Sequence, residues 1–296
     1  MTMGSDDVEA VGDRVPNAFR TAAIGFAAGC VGGVMGIIVG QPFDTIKVRL
    51  QTHSTHYTGP MHCARHTLHH EGVRGLFKGL LSPLVGSVPI NAIVFGVYGS
   101  TLDMLDPRPA PALSSVFNAG CIAGFLQSFV VCPTDLVKCQ LQVQDGFANG
   151  RRNFANPLDC MRYLSHHGGG AKGLFQGLRV TLLRDTGSYG VYFGVYEGMR
   201  RWFASDSTPS LLVAGGLAGV VSWTIVYPID VVKSVIQTMP PTATADERRI
   251  LVQARRLVDV HGASIFTKGL GTTMLRAFPV NAVTFYFYEW TVAALS

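Results

Sequence analysis

Pro42-Phe43-Asp44-Thr45-Ile46-Lys47-Val48-Arg49-Leu50-Gln51 is the first of three copies of one pattern. The second runs Pro133-Thr134-Asp135-Leu136-Val137-Lys138-Cys139-Gln140-Leu141-Gln142. The third runs Pro228-Ile229-Asp230-Val231-Val232-Lys233-Ser234-Val235-Ile236-Gln237. In each copy Asp follows Pro by two residues, Lys by five and Gln by nine, and the prolines are 91 and 95 residues apart. A fixed period of this kind marks a chain assembled from repeated units. Chance easily supplies one Pro-x-Asp-x-x-Lys. It does not supply three with the trailing Gln.

A second element recurs with the first: Gly75-Leu76-Phe77-Lys78-Gly79, Gly173-Leu174-Phe175-Gln176-Gly177 and Ser264-Ile265-Phe266-Thr267-Lys268-Gly269. It follows each proline at a variable distance, so the intervening loops differ in length. Apolar, Gly-rich windows at 22–40, 113–131 and 211–226 precede the three signatures. Each is close to the length a helix needs to cross the hydrocarbon core. The segments after the second element, 80–105, 178–203 and 270–295, are more polar.

Composition agrees with a membrane class: the 296 residues are 48% hydrophobic and 15% charged, with mean hydropathy +0.28. Net charge is +5, and no basic block points to nucleic acid. Six Cys occur without a CxxC pair, so neither a zinc ribbon nor a disulfide framework is indicated. Asp6, Asp7, Glu9 and Asp13 make the N-terminus acidic, the opposite of an Arg-rich transit peptide.

These repeats resemble the mitochondrial carrier family, whose signature is Pro-x-[Asp/Glu]-x-x-[Lys/Arg] in three copies. The resemblance covers residues 18 to 295 and comes closest to the carnitine/acylcarnitine, ornithine and basic amino-acid branch. It implies an all-α membrane protein of six tilted transmembrane helices in three pseudo-threefold repeats, with short matrix helices. Residues 1–17 are then an N-terminal tail, and the repeats span 18–106, 107–205 and 206–296. Both termini are expected toward the intermembrane space of the mitochondrial inner membrane. Physical expectations run alongside. Proline within a helix removes a hydrogen bond and kinks it. The spacings Gly25/Gly29/Gly33, Gly120/Gly124 and Gly215/Gly219 permit close helix approach in lipid.

Charge within a bilayer is costly unless paired. The resemblance implies a matrix gate in which Lys47 pairs with Asp135, Lys138 with Asp230 and Lys233 with Asp44. Gln51, Gln142 and Gln237 match the gate-brace positions beneath them. The cytoplasmic positions hold Gly99 and Leu102, Glu197 and Arg200, and Glu289 and Val292, each set preceded by an aromatic at Tyr98, Tyr196 and Tyr288. Only Arg200 and Glu289 complete an interhelix pair there, so this gate is the weaker one.

Substrate should bind where the threefold pattern fails. Arg184, Asp185 and Arg276 lie mid-helix where the first repeat has Gly86 and Ser87. They match the family's substrate contact points. Adjacent residues on a helix point about 100° apart, which argues against Arg184 and Asp185 simply pairing with each other. Arg suits a carboxylate and Asp an ammonium, so the set suits a zwitterion. Trp223 is a candidate for stacking on a cation. Asn91, in the neutral stretch Pro89-Ile90-Asn91, stands where ornithine-type carriers tend to have an acid.

Gly59, in Tyr57-Thr58-Gly59, and Gly79, Gly177 and Gly269 match the family's cardiolipin positions, where helix N-termini favour phosphate. His53, His56, His62, His66, His69 and His70 crowd the first loop and read as a solvated face rather than a metal site. Cys139 reads as a small packing residue. No cofactor, no nucleic-acid partner and no enzymatic chemistry are expected, and the transporter is expected to act as a monomer. The expected activity is alternating-access movement of a basic amino acid or carnitine-like metabolite, by exchange. The rivals are a nucleotide carrier and a non-transporting adaptor on the same fold.

Overall fold

The computed structural model describes residues 5–52, 57–144, 154–203 and 207–295. Among them the chain is helical, with no strand. The order long helix, short helix, long helix occurs three times: α1 (Ser5–Thr52), α2 (Pro60–Leu76) and α3 (Leu81–Leu105); α4 (Leu113–Gln142), α5 (Pro157–His167) and α6 (Leu178–Phe203); α7 (Thr208–Thr238), α8 (Ile250–His261) and α9 (Leu270–Leu295). Single 3-10 turns, Gly170–Phe175 and Ala263–Thr267, precede α6 and α9. The expected tail, 1–17, overlaps the start of α1 from residue 5 and otherwise lies outside the described residues.

The signature prolines do not end their helices. Pro133 and Pro228 are internal to α4 and α7, which run on to Gln142 and Thr238. The apolar windows therefore end a little over three turns short of these helices, because the charged signature is itself helical. Among the described residues, four helical stretches are long and apolar enough to cross a membrane: Ala27–Thr52, Leu81–Leu105, Leu113–Gln142 and Val213–Thr238. The polar reading of 80–105 is thus corrected, since α3 qualifies with α1, α4 and α7.

The residues divide into two compact units, one from the N-terminus to Gln41 with Leu275 onward, the other Pro42–Met274. Within the larger unit α4 packs on α3, α6 and α7, and α6 packs on α7. Gly120 and Gly124 make the α4–α6 approach possible: a Cβ on them would lie 2.7 Å from Tyr189 O and 2.4 Å from Asp185 O. Any larger residue would push these helices apart. In the smaller unit the close-approach glycines are Gly32 and Gly36, where a Cβ would strike Thr284 at 2.6 and 2.4 Å. The expected face was Gly25, Gly29 and Gly33, where a Cβ meets nothing within 4 Å. A stretch this rich in glycine presents two small-residue faces, and spacing alone does not choose between them. Gly215 and Gly219 are also open positions: the nearest atom is the Tyr192 hydroxyl, 3.9 Å from Gly215.

Each short helix is pinned beneath the end of the preceding long one by a buried apolar cluster. Leu50, Tyr57 and Cys63 hold α2; Leu136, Val137, Leu141, Cys160 and Leu164 hold α5; Tyr227, Val231, Val232, Ile236, Leu257 and Ile265 hold α8. Burying one such Leu or Ile stabilises by about 1.5–3 kcal/mol. Gly79, Gly177 and Gly269 then turn the chain into α3, α6 and α9 with φ of +78°, +84° and +87°. Only glycine takes that conformation without penalty, which explains the repeated landmark.

The first repeat has one further clamp. Arg49, fully buried, donates to Glu71 Oε1 at 2.6 Å, to Thr67 Oγ1 at 2.9 Å and to Gln142 O at 3.0 Å. Lys78 pairs with Glu71 Oε2 at 2.5 Å and also donates to Gln144 O. Burial opposes ionisation of Glu71, but the hydrogen bonds from Arg49 and Lys78 win and hold its carboxyl below the ordinary value. The equivalent positions in the other repeats are Gln140 and Val235, so this charged clamp belongs to repeat one.

Candidate functional site

The signature charges assemble as a cyclic set joining α1, α4 and α7. Lys47 Nζ lies 2.5 Å from Asp230 Oδ2, Lys138 Nζ lies 2.5 Å from Asp44 Oδ2, and Lys233 pairs with Asp135. The expected partners were the other way round the cycle, Lys47 with Asp135, Lys138 with Asp230 and Lys233 with Asp44. The structure reverses that sense. Spacing says that Lys and Asp, three residues apart, face different neighbours; it does not say which neighbour lies on which side.

The glutamines follow the lysines. Gln51 Nε2 donates to the Tyr227 hydroxyl at 3.2 Å, Gln142 Nε2 donates to Thr45 Oγ1 at 3.2 Å, and Gln237 Oε1 accepts from Cys139 Sγ at 3.8 Å. Each Gln reaches the helix that its own Lys reaches, because residues four apart share a helix face. In these three contacts the glutamines meet Tyr, Thr and Cys side chains rather than the ion pairs themselves. Cys139 packs between Val48 and Val143, as a small packing residue would.

Next to this set lies a cavity of about 380 Å³. Ile90 lines it from α3; Gln127, Val131 and Asp135 from α4; Arg184, Asp185, Ser188, Tyr189 and Tyr192 from α6; Gly219, Ser222 and Trp223 from α7. Arg184 and Asp185 do contact each other: Arg184 Nη1 donates to Asp185 Oδ1 at 2.6 Å. The long arginine side chain folds back across the roughly 100° that separates the two Cβ directions, so the geometric objection to this pair fails. Asp185 is buried against α4, where the Ser128 hydroxyl stands 3.4 Å from its Oδ2. Arg184 also reaches the signature charges, with Nε 3.2 Å from Asp230 Oδ1 and Nη1 3.9 Å from Asp135 Oδ2. Trp223 faces the cavity and carries the protein's own cations, Lys47 Nζ 4.6 Å and the Arg184 guanidinium 5.5 Å from its ring centre.

Two other expected substrate residues, Gly86 and Asn91, fall elsewhere. Gly86 is buried, and a Cβ there would lie 2.6 Å from Thr134 Cγ2; it is a helix-packing position. Asn91 is exposed, and Ile90 lines the cavity in its place. Arg276 lies in the smaller unit, packed on Gly40, where a Cβ would stand 2.8 Å from its Nε. The sequence reading missed Gln127, a buried amide on the cavity wall. Its signal was available: a lone amide midway along an apolar span is costly without a role.

At the other end of α6, Glu197 is engaged within its own helix, by Arg201 at 2.8 Å and Arg200 at 3.5 Å. Arg201 also donates to Pro111 O, so it ties α6 to the loop before α4. Tyr98 stacks on Phe193 with ring centres 3.9 Å apart, Tyr196 lies parallel to Tyr192, and Tyr288 is exposed. On α2 the imidazoles of His66 and His70 are 4.3 Å apart, and the described residues contain no group of three metal-ligating side chains. His53 and His56 lie outside the described residues.

Three helical repeats, ion pairs that join one repeat to the next and a charged cavity beside them define a helical membrane transporter. The mitochondrial carrier protein family matches residues 20–108, 110–207 and 204–296, and the chain belongs to that family. It is similar to the human mitochondrial basic amino acids transporter, 44% identical over 271 residues that cover 89% of this chain and 88% of the relative. It is also similar to a mitochondrial carnitine/acylcarnitine carrier-like protein of Arabidopsis thaliana, 37% identical over 91% of this chain and 97% of the relative. The mitochondrial carnitine/acylcarnitine carrier protein of Macaca fascicularis is 36% identical over 88% of this chain and 91% of its own length. The chain is accordingly a transporter rather than an enzyme, and a multi-pass protein of the mitochondrial inner membrane.

Proposed function

We propose that this carrier moves a cationic or zwitterionic amino-acid-like metabolite, a basic amino acid or carnitine and its esters, by alternating access and exchange. The observation that carries the reading is the cavity in which Arg184 and Asp185 lie beside Trp223 and within reach of Asp230. The names of the relatives, basic amino acids and carnitine/acylcarnitine, point the same way. Arg184 is the group for the substrate carboxylate and Asp185 for its cation, with Arg276 a further anion contact. The set Asp44, Lys47, Asp135, Lys138, Asp230 and Lys233 is the matrix gate, with Gln51, Gln142 and Gln237 as braces. Tyr98, Tyr196, Glu197, Arg200, Tyr288 and Glu289 belong to the cytoplasmic gate.

The mechanism follows from shared charges. A substrate carboxylate drawing the Arg184 guanidinium toward the cavity takes it from Asp230, and the substrate cation replaces it beside Asp185. The ring of pairs then loses a positive neighbour and opens more easily. Substrate shifts this equilibrium only by its difference in affinity for the two states. Further parts of the proposal are termini toward the intermembrane space, cardiolipin phosphate at the Gly59, Gly79, Gly177 and Gly269 turns, and a functional monomer without cofactor or nucleic-acid partner.

The test is uptake of labelled lysine, arginine, carnitine and ATP into liposomes holding the purified protein, with and without internal substrate. Uptake of lysine, arginine or carnitine that needs internal substrate and fails in Asp185→Asn is expected. Efficient ATP uptake, or unaltered uptake by Asp185→Asn, overturns the proposal.

A further inference from the structure

We propose that Gln127 receives the substrate's cationic group on its amide oxygen, and that the cavity therefore selects N–H-bearing cations, a primary ammonium or a guanidinium, over quaternary ammonium groups of equal charge. This rests on the reading that the cavity takes a cationic amino-acid-like metabolite, and it decides between the two substrate classes that reading leaves.

Gln127 is 2% exposed and lines the cavity from α4. Its Oε1 has no hydrogen-bond partner among the described residues, while the other end of the amide meets the Tyr189 phenol. A buried acceptor without a donor is destabilising, so such groups are nearly always partnered. The neighbouring polar groups do not supply that donor. One Arg184 Nη1 proton goes to Asp185 Oδ1, and the Ser128 hydroxyl donates to Gly124 O at 2.7 Å. Ser222 Oγ donates to Ser188 O at 2.8 Å, which leaves the Ser188 hydroxyl proton for Ser222 Oγ, 3.0 Å away. Gln127 Oε1 is thus a buried acceptor on the cavity wall, and a ligand completes it by bringing an N–H group.

A trimethylammonium group brings charge but no N–H. Its best protein partner is an aromatic face. Trp223, the indole of this cavity, is already engaged by Lys47 and Arg184. A quaternary cation would have to displace one of them and would still leave Gln127 Oε1 unpaired. A site built to hydrogen-bond a substrate N–H discriminates sharply against the analogue that lacks it.

The experiment compares lysine with ε-trimethyl-lysine, which differ at one nitrogen and not in charge, as competitors of labelled lysine uptake in liposomes holding the full chain. Carnitine is the third competitor, and Gln127→Leu and Gln127→Glu are the variants. Wild type is expected to favour lysine over trimethyl-lysine by roughly ten-fold or more. Gln127→Leu should bring the two within about two-fold, through loss of lysine, and Gln127→Glu, which keeps an acceptor, should retain the preference. Equal use of the two by wild type overturns the proposal, as does a Gln127→Leu variant that discriminates like wild type. The wild-type ratio decides alone if the variants do not fold. Failure of wild type to take up lysine, trimethyl-lysine and carnitine alike overturns the underlying substrate reading as well, and is distinguishable from the other two results.

Discussion

Asp230 is shared: its Oδ2 holds Lys47 at 2.5 Å, and its Oδ1 faces Arg184 Nε at 3.2 Å. A residue of the cavity and a residue of the proposed gate thus lean on one buried carboxylate, an arrangement that would couple occupancy of one to closure of the other. Arg184 contacts three carboxylates, Asp135, Asp185 and Asp230, which a planar, multiply donating guanidinium can do. Lysine offers one point charge. Arg184→Lys is therefore expected to lower the exchange rate by roughly ten-fold or more, on the scale of about 2–5 kcal/mol for truncating a buried charged partner. Wild-type exchange by this variant, measured in liposomes, would show that the Asp230 contact is incidental.

The sense of the gate cycle is testable by double-mutant cycles. Lys47→Ala and Asp230→Ala should couple by roughly 0.5–3 kcal/mol in thermal unfolding, as residues in direct contact do. Lys47→Ala and Asp135→Ala should couple less, since Asp135 is paired with Lys233. The reverse ranking would restore the pairing expected from the family resemblance.

The clamp at Arg49 makes a sharper stability prediction. Its side chain has no solvent to retreat to, and Glu71 is the carboxylate that balances its charge. Glu71→Gln leaves that guanidinium buried without its counter-charge, a change that costs about 3–5 kcal/mol in comparable buried pairs. A clear drop in Tm is expected from differential scanning fluorimetry. The matching change of the uncharged Gln140 to Met should cost less. An unchanged Tm for Glu71→Gln would mean that the clamp contributes nothing.

Asp106, in the connection between α3 and α4, accepts from Arg108 at 2.6 and 2.7 Å and from the Ala112 amide at 2.7 Å. The Arg108 hydrogen bonds, with that of the amide, hold its carboxyl well below the ordinary value of 3.8. A depressed folded value means stability that is present above 3.8 and is lost as pH falls below it. The Tm difference between wild type and Asp106→Asn should therefore be constant from neutral pH down to the ordinary carboxylate value and shrink below it. A difference that stays flat through that range would rule out the charged bonds as its source.

The repeats were legible because Pro, Asp, Lys, Gln and Gly each meet a local demand. The glycine landmarks mark a positive φ, and the α6 and α9 boundaries, Leu178–Phe203 and Leu270–Leu295, coincide with the segments expected. What failed was information held between helices. The handedness of the Lys–Asp cycle, the choice of Gly32 and Gly36 over Gly33, and the packing of Gly86 on Thr134 all depend on which neighbour a face meets. Side-chain reach was the other gap. Arg184 bends across the helix to Asp185, a contact that Cβ directions argue against. Gln127 went unseen because one amide has no repeat to advertise it.

The last prediction concerns the end of α6 where the pattern is incomplete. Glu197 is held by Arg200 and Arg201 of its own helix, and the family's partner position on α3 is Leu102. A Cβ at Gly99 would meet nothing within 4 Å, so a side chain there is tolerated. Gly99→Asp with Leu102→Lys supplies an acid and a base on α3, and the introduced ammonium then competes with Arg201 for Glu197. Exposed ion pairs are worth about 0.2–1 kcal/mol each, so the closed population should rise by no more than roughly two- to five-fold per pair formed. Reopening becomes correspondingly harder, and exchange should slow by a similar factor while Tm rises. The single change Leu102→Lys should give part of the effect and Leu102→Met none. Equal exchange rates and equal Tm in all three variants and wild type would show that residues 99 and 102 do not take part in closure, and that the absence of charge at these two positions is neutral.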